Sequence, residues 1–213
     1  AAGGGAEPPS AGKGKGKGGD KVKGGGKKGG GGGKKGAPPS TADPEDVSRL
    51  DLRVGHIVKA WAHPDADTLW CEEVDVGEAE PRLIASGLRA HYSEAEMTGR
   101  RICVVANLKP RKMRGFMSHG MVLCAKAKDN GGTDRVEFVD PPADAPIGSR
   151  IMAEGMSGEP DAQVTPGKKK NPWDACAPNL STNGDRVACF KGAPLGTPSG
   201  PCVAPSLANA PVS

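Results

Sequence analysis

From Leu50 onward the apolar positions come in short runs, rich in β-branched residues and separated by turn-forming ones. VGHIVKAWA (54–62), TLWCEEVDVG (68–77) and RLIASGL (82–88) each predict a strand, with HPDAD between the first two as a turn. HYSEAEMTG (91–99) breaks the pattern. It lacks strand character, and Ser93 stands three residues before Glu96, the spacing of a capping box, so a short helix is expected there. RICVVANL (101–108) and SHGMVLCAKA (118–127) supply a fourth and a fifth strand, and RVEFVDPP (135–142) a last extended piece. Three strands, one helix and two further strands follow the order of an OB-fold, a five-stranded, partly open Greek-key barrel. The expected fold class is therefore all-β, with this barrel spanning residues 47–150.

Composition removes the start of the chain from that domain. Residues 1–40 hold nine lysines against Glu7 and Asp20, set in glycine runs such as GGGKKGGGGG. A segment with so little to bury cannot offset its ordering entropy, so residues 1–46 are expected to form a disordered tail. Its lysines act either as a nonspecific electrostatic tether near RNA or as a solubilising linker. The whole chain carries +4 and residues 1–40 carry +7, which leaves 41–213 at −3. Any basic surface on the folded part must then be local.

One window meets that condition. Between Glu96 and Asp129 there is no carboxylate, yet Arg100, Arg101, Lys109, Arg111, Lys112, Arg114, Lys126 and Lys128 all fall inside it. A charge run by itself is more often a solvated face. Four of these cations, however, sit in NLKPRKMRGFMSHGM (107–121), the connection between the fourth and fifth strands, and OB-folds use that loop for nucleic-acid contacts. Pro110 fixes φ just after one strand and Gly115 permits a reversal before the next. Met113, Phe116 and Met117 are expected to pack the loop down, while Met121 is either core or a base contact. Lys168, Lys169 and Lys170 make a second small patch, a solvated loop or an auxiliary RNA contact.

The chain is only 3% aromatic. Trp61, Trp70 and Phe138 lie in strand patterns, leaving Tyr92 and Phe116 as candidates for exposed rings. Strand-indifferent binders of single-stranded nucleic acid stack bases on several rings. A poor stacking inventory beside a strong charge patch points instead to a folded RNA recognised by its backbone shape.

Other chemistries fare worse. Cys71, Cys103, Cys124, Cys176, Cys189 and Cys202 are widely spaced without a C-x-x-C pair, which argues against a zinc site; Cys71, Cys103 and Cys124 sit in apolar runs, as small buried thiols do, and the set fits a reducing, cytoplasmic compartment. No apolar run is long enough for a membrane span. Ser118 and His119 are adjacent, but the nucleophile elbow needs G-x-S-x-G, and neighbours on a strand point to opposite faces. His63, Asp65 and Asp67 are read as turn residues bonded to nearby backbone rather than as metal ligands. No catalytic residue, cofactor or metal is therefore expected.

SRLDLRVGHIVKAWAHPDADTLWCEEVDVGE, SGLRAHY, NLKPRKMRGFMSHGMVLCA and PPADAPIGSRI, in that order from Ser48 to about Ile151, resemble the tRNA-binding domain family. The likeness is to its eukaryotic branch, which includes endothelial monocyte-activating polypeptide, Arc1p and the C-terminal extensions of plant methionyl-tRNA synthetases. The resemblance implies a noncatalytic module that captures tRNA and delivers it to an aminoacyl-tRNA synthetase, methionyl-tRNA synthetase foremost, as a free cofactor or as an appendage. It also implies an accessory, mostly β subdomain over 151–213 that mimics a second subunit and leaves the chain a monomer. The matching tRNA-facing positions are Asn107, Lys109, Lys112, Met113, Arg114, Ser118 and Met121, with Arg111 adding a charge at a variable position. The alternative class is a protein-interaction or secreted cytokine-like factor on the same scaffold; RVGHIVK (53–59) departs from the animal cytokine peptide at His56 and Lys59. The last dozen residues, small and proline-rich, are expected to be loose.

Overall fold

The structure is a computed structural model that describes residues 43–129 and 131–213. The tail expected over 1–46 lies outside the described residues up to position 42. Asp43 to Asp46 belong to the folded part: Asp46 accepts from Ser48 N at 2.9 Å to cap a single 3-10 turn (Val47–Arg49), and Glu45 pairs with Lys191 at 2.5 Å.

The barrel forms as the apolar pattern predicts. β1 (Leu52–Ala62) lies between β2 (Trp70–Asp75) and β4 (Arg101–Val105), β3 (Arg82–Ser86) pairs with β2, and β7 (Met121–Val122) pairs with β4, all antiparallel. The order is β3-β2-β1-β4-β7. A bulge in β1 between Ile57 and Lys59 bends the long strand so that one half serves each side of the barrel. α1 (Glu94–Met97) falls between β3 and β4, where Glu96 accepts from Ser93 N at 2.8 Å as the capping-box spacing requires, and Met97 is fully buried in the barrel interior.

The expected fifth strand, 118–127, is not one strand. Ser118 ends a separate strand, β7 follows, and β8 (Cys124–Lys128) leaves the main sheet to pair with β9 (Asp134–Phe138). Leu123 is the corner: its N–H donates to Cys103 O at 2.9 Å while its carbonyl accepts from Val139 N at 3.1 Å, so each side of the same residue serves a different strand. An unbroken apolar run cannot reveal such a corner, because burial persists through it.

One barrel-facing residue is polar. Glu72 is fully buried, the Ser86 hydroxyl donates to its Oε1, and its Oε2 has no partner among the described residues. Burial pushes this carboxyl up to about 8, against the hydrogen bond from Ser86, which pulls it down. The native state therefore keeps a proton that the unfolded chain gives up near about pH 4.3. Stability from this group is complete below that value and is lost as pH rises towards 8, by up to about 1.4 kcal/mol per pH unit. Glu72→Gln is expected to flatten the fall in stability between pH 5 and 8, read from urea midpoints at several pH values.

Strands β1 and β4 are covered on both faces. Ile57, Ile102 and Val104 point into the barrel, whereas Leu52, Val54, Cys103 and Val105 join a second cluster with Ile151, Leu180, Phe190 and Leu195. The latter four belong to the C-terminal region, where β10 (Met152–Ala153), β11 (Leu180–Thr182), β12 (Ala188–Phe190) and β13 (Ala193–Thr197) form a sheet in the order β10-β13-β12-β11, with β14 (Gly200–Pro201) beside β13. This small β subdomain uses the outer face of the barrel as half of its core. The chain's last residues are tied down as well, contrary to the looseness expected of them: Cys124 and Ser213 exchange backbone bonds at 3.0 Å each, and Val212 N donates to Leu180 O at 3.0 Å. All six cysteines are buried and free, and burial raises the Cys124 and Cys176 thiols to about 12. Among the described residues, no helix is long and apolar enough to cross a membrane.

Candidate nucleic-acid interface

The loop between β4 and β7 is a hairpin. β5 (Arg111–Met113) pairs with β6 (Phe116–Ser118) in the register Arg111↔Ser118, Lys112↔Met117 and Met113↔Phe116. Its two-residue turn, Arg114–Gly115, has φ of 47° and 97°, the positive pair of a type I′ turn. Glycine takes that conformation freely; an arginine there costs about 1–2 kcal/mol of backbone strain. The turn places Arg114 at the tip of the hairpin. Because opposite residues share a face, Arg111, Met113, Phe116 and Ser118 lie on one side, and Lys112 and Met117 on the other. Met117 is thus exposed rather than packed as expected, and the cations point in several directions.

Three anchors fix the hairpin. Phe116 meets Trp61 and His63 edge-on, with ring centroids 6.1 and 6.2 Å away. His63 is buried in the HPDAD turn; its Nδ1 accepts from Asp65 N at 3.0 Å, so the Nε2 proton donates to Met113 O at 3.3 Å. That turn does more than reverse the chain, since it braces the hairpin from below. Ser118, also buried, accepts from Ala85 N and donates to Gly120 O, both at 3.0 Å, and His119 N donates to Leu83 O at 2.8 Å; these bonds close the barrel between β3 and β6. Asn107 fixes the start of the connection. Its Oδ1 accepts from Asp51 N at 3.0 Å, and its Nδ2 donates to Arg49 O and Asp161 O at 2.9 Å each. Of the eight residues that the sequence singles out, Asn107 and Ser118 therefore spend their polar atoms inside the fold, whereas the other six surround the surface those two hold.

Six of the eight cations of the acid-free window separate into two groups. Arg100 forks onto Asp140 at 3.0 and 3.1 Å and covers the Phe138 and Tyr92 rings, and Arg101 donates to the carbonyls of Pro142 and Ala145. Both are structural. Tyr92, a candidate for an exposed ring, packs 4.5 Å from Phe138 and accepts from its N–H, so it is not available for stacking; Phe116 is likewise half-buried. Lys109, Arg111, Lys112 and Arg114 are exposed, and among the described residues no carboxylate lies within ion-pair distance of any of them. Four cations without internal partners on a braced hairpin can take up phosphates without first breaking a salt bridge.

Sequence reasoning misses what lies beside the hairpin. A groove of about 690 Å³ separates it from the C-terminal subdomain, with Met113, Met121 and Leu108 on one wall and Trp173 on the other. Val164 joins the walls: its N–H donates to Asn107 O at 2.8 Å and its carbonyl accepts from Lys109 N at 2.7 Å. Trp173 lies in α2 (Pro172–Cys176), whose cap is Asn171 accepting from Asp174 N at 2.9 Å. The signal available was NPWDA itself, an N-cap, a proline and an aromatic residue in an otherwise polar stretch.

Known proteins agree with this architecture. Residues 52–150 match the family described as "Putative tRNA binding domain". The chain is 46% identical over 167 residues to the aminoacyl tRNA synthase complex-interacting multifunctional protein 1 of Mus musculus, covering 78% of this chain and 52% of that protein. It is 45% identical over 163 residues to a probable methionine-tRNA ligase of Oryza sativa subsp. japonica, covering 76% of this chain but 20% of the ligase. The chain thus spans from a fifth to about half of these curated relatives. Among solved structures, the C-terminal domain of Plasmodium vivax p43 superposes with a TM-score of 0.72 at 35% identity, over 79% of this chain and 99% of that one. On its residues, its barrel and these matches, the chain belongs to the tRNA-binding domain family.

Proposed function

We propose that this chain is a noncatalytic module that binds tRNA through the β5–β6 hairpin and presents it to an aminoacyl-tRNA synthetase in the cytoplasm. The observation that carries this reading is the set of four exposed cations, Lys109, Arg111, Lys112 and Arg114, none of them paired with a carboxylate among the described residues. Met113 and Met121 lie beside the bound RNA, and Asn107 and Ser118 act by holding the surface in place. The multifunctional-protein relative supports a free cofactor; the rice relative supports an appendage and makes methionyl-tRNA synthetase the first partner to test. The organisation that goes with this is a Gly/Lys-rich tail, a barrel to about residue 150 and the accessory subdomain after it. That subdomain covers the outer face of β1 and β4, which favours a monomer, because that apolar face is already occupied within the chain.

The test is competition. Unlabelled tRNA is expected to displace labelled tRNA from the full chain at a concentration at least tenfold below that of a single-stranded RNA of equal length. Equal competition by the two RNAs would reduce the reading to nonspecific electrostatics.

A further inference from the structure

The groove beside the hairpin differs from the phosphate-facing surface in chemistry. Its walls are apolar, with the half-buried Trp173 facing the side of the hairpin that carries Met113. Its rim is basic, with Lys109, Arg111 and Lys126 exposed at the edge and no acidic side chain in its lining. Lys168, Lys169 and Lys170 stand exposed in the loop that links the groove residue Pro166 to Trp173. An apolar slot with cationic side chains on its rim complements a flat heterocycle attached to a phosphate, and its volume falls in the range of small-ligand sites. An apolar peptide would leave the rim cations unanswered. Paired bases could not enter, since their faces are covered by the stack.

We propose that this groove takes one unpaired nucleotide of the bound RNA, its base against Trp173 and the methionines and its phosphates on the rim. The inference rests on the tRNA-binding reading and adds to it a base-contacting subsite built jointly by barrel and subdomain. One polar group waits at the floor. Ser86 lines the groove and its hydroxyl is hydrogen-bonded to Glu72, with further hydrogen-bonding capacity left for a ligand. Ser118 lines the same groove but its hydroxyl is already used in both directions. The aromatic wall is rigid: besides the Asn171 cap, the Asp174 carboxylate accepts from Gly167 N at 2.7 Å and from Asn171 Nδ2 at 2.6 Å.

The experiment uses the full chain with two probes, a tRNA and a blunt, fully paired RNA duplex of similar phosphate number. Trp173→Ala is expected to weaken tRNA binding by about tenfold or more, the size that loss of one base–aromatic stack gives, and to change duplex binding less than twofold. Trp173→Phe, which keeps a ring, should retain most of the affinity. In the unsubstituted chain carrying carbon-13 methionine methyls, Met113 and Met121 should shift upfield from the base ring current with tRNA and stay in place with duplex; this readout does not depend on the variant folding. An equal loss on both RNAs, no loss on tRNA, or unmoved methyls would overturn the subsite while tRNA binding stands. If the unsubstituted chain does not bind tRNA, the failure appears before any variant is made and removes both readings.

Discussion

Reversing two charges on the hairpin, Lys112→Glu with Arg114→Glu, is expected to lower tRNA affinity by about a hundredfold or more at moderate salt. The figure follows from two charge-assisted contacts of about 1.5–3 kcal/mol each, with about 1.4 kcal/mol per tenfold change. Both side chains are exposed and neither has an ion pair among the described residues, so the thermal midpoint should barely move. The loss should be similar for every tRNA species, because phosphate contacts position the ligand and carry no sequence information. The dependence of log affinity on log salt should also become shallower by about two, near 0.9 per contact by the duplex rule. Fluorescence anisotropy with three different tRNAs at four salt concentrations checks all of this. Selective loss of one tRNA would mean that Lys112 or Arg114 reads bases.

The second large effect is on stability. Asn107→Ala removes the side-chain partner of Asp51 N and Asp161 O, and one of the bonds to Arg49 O, which also accepts from Asp161 N at 2.9 Å. Each of the two groups left without a partner costs about 1–3 kcal/mol, so a loss of about 2–6 kcal/mol is expected. That is a large part of the roughly 5–15 kcal/mol that holds a domain together. The urea midpoint should fall steeply, and tRNA binding should fail only under conditions where the chain has begun to unfold. A residue that contacted RNA and did nothing else would show the reverse: weakened binding with an unchanged midpoint.

These two substitutions mark how far the sequence could be read. The strands and the helix were legible because β-branched runs, turn residues and the Ser93–Glu96 spacing each act locally. Hairpin β5–β6 was legible only as a constrained loop: RKM and FMS are too short to show periodicity, and the I′ turn puts an arginine where asparagine or glycine is usual. Long-range geometry was hidden. Arg100 and Arg101 read as members of the basic cluster, but Asp140 and the Pro142–Ala145 carbonyls, some forty residues on, take them out of it. His63 read as a turn residue and is one, yet its second nitrogen braces a carbonyl fifty residues away. The second layer over β1 and β4 did leave a trace. ICVV in β4 is buried throughout, without the alternation of a strand that has one wet face, and such a strand needs cover on both sides.

The central claim is that the braced hairpin, and not the lysine-rich tail, is the recognition surface. The most direct test compares tRNA affinity of the full chain with that of a chain shortened to begin at Asp43, from 50 to 200 mM salt, with single-stranded RNA as control. The account predicts that the shortened chain still prefers tRNA, and that four phosphate contacts cost it roughly a hundredfold in affinity over that salt range. If the preference for tRNA disappears with the first forty-two residues, the hairpin cations are a solvated surface and the account is wrong.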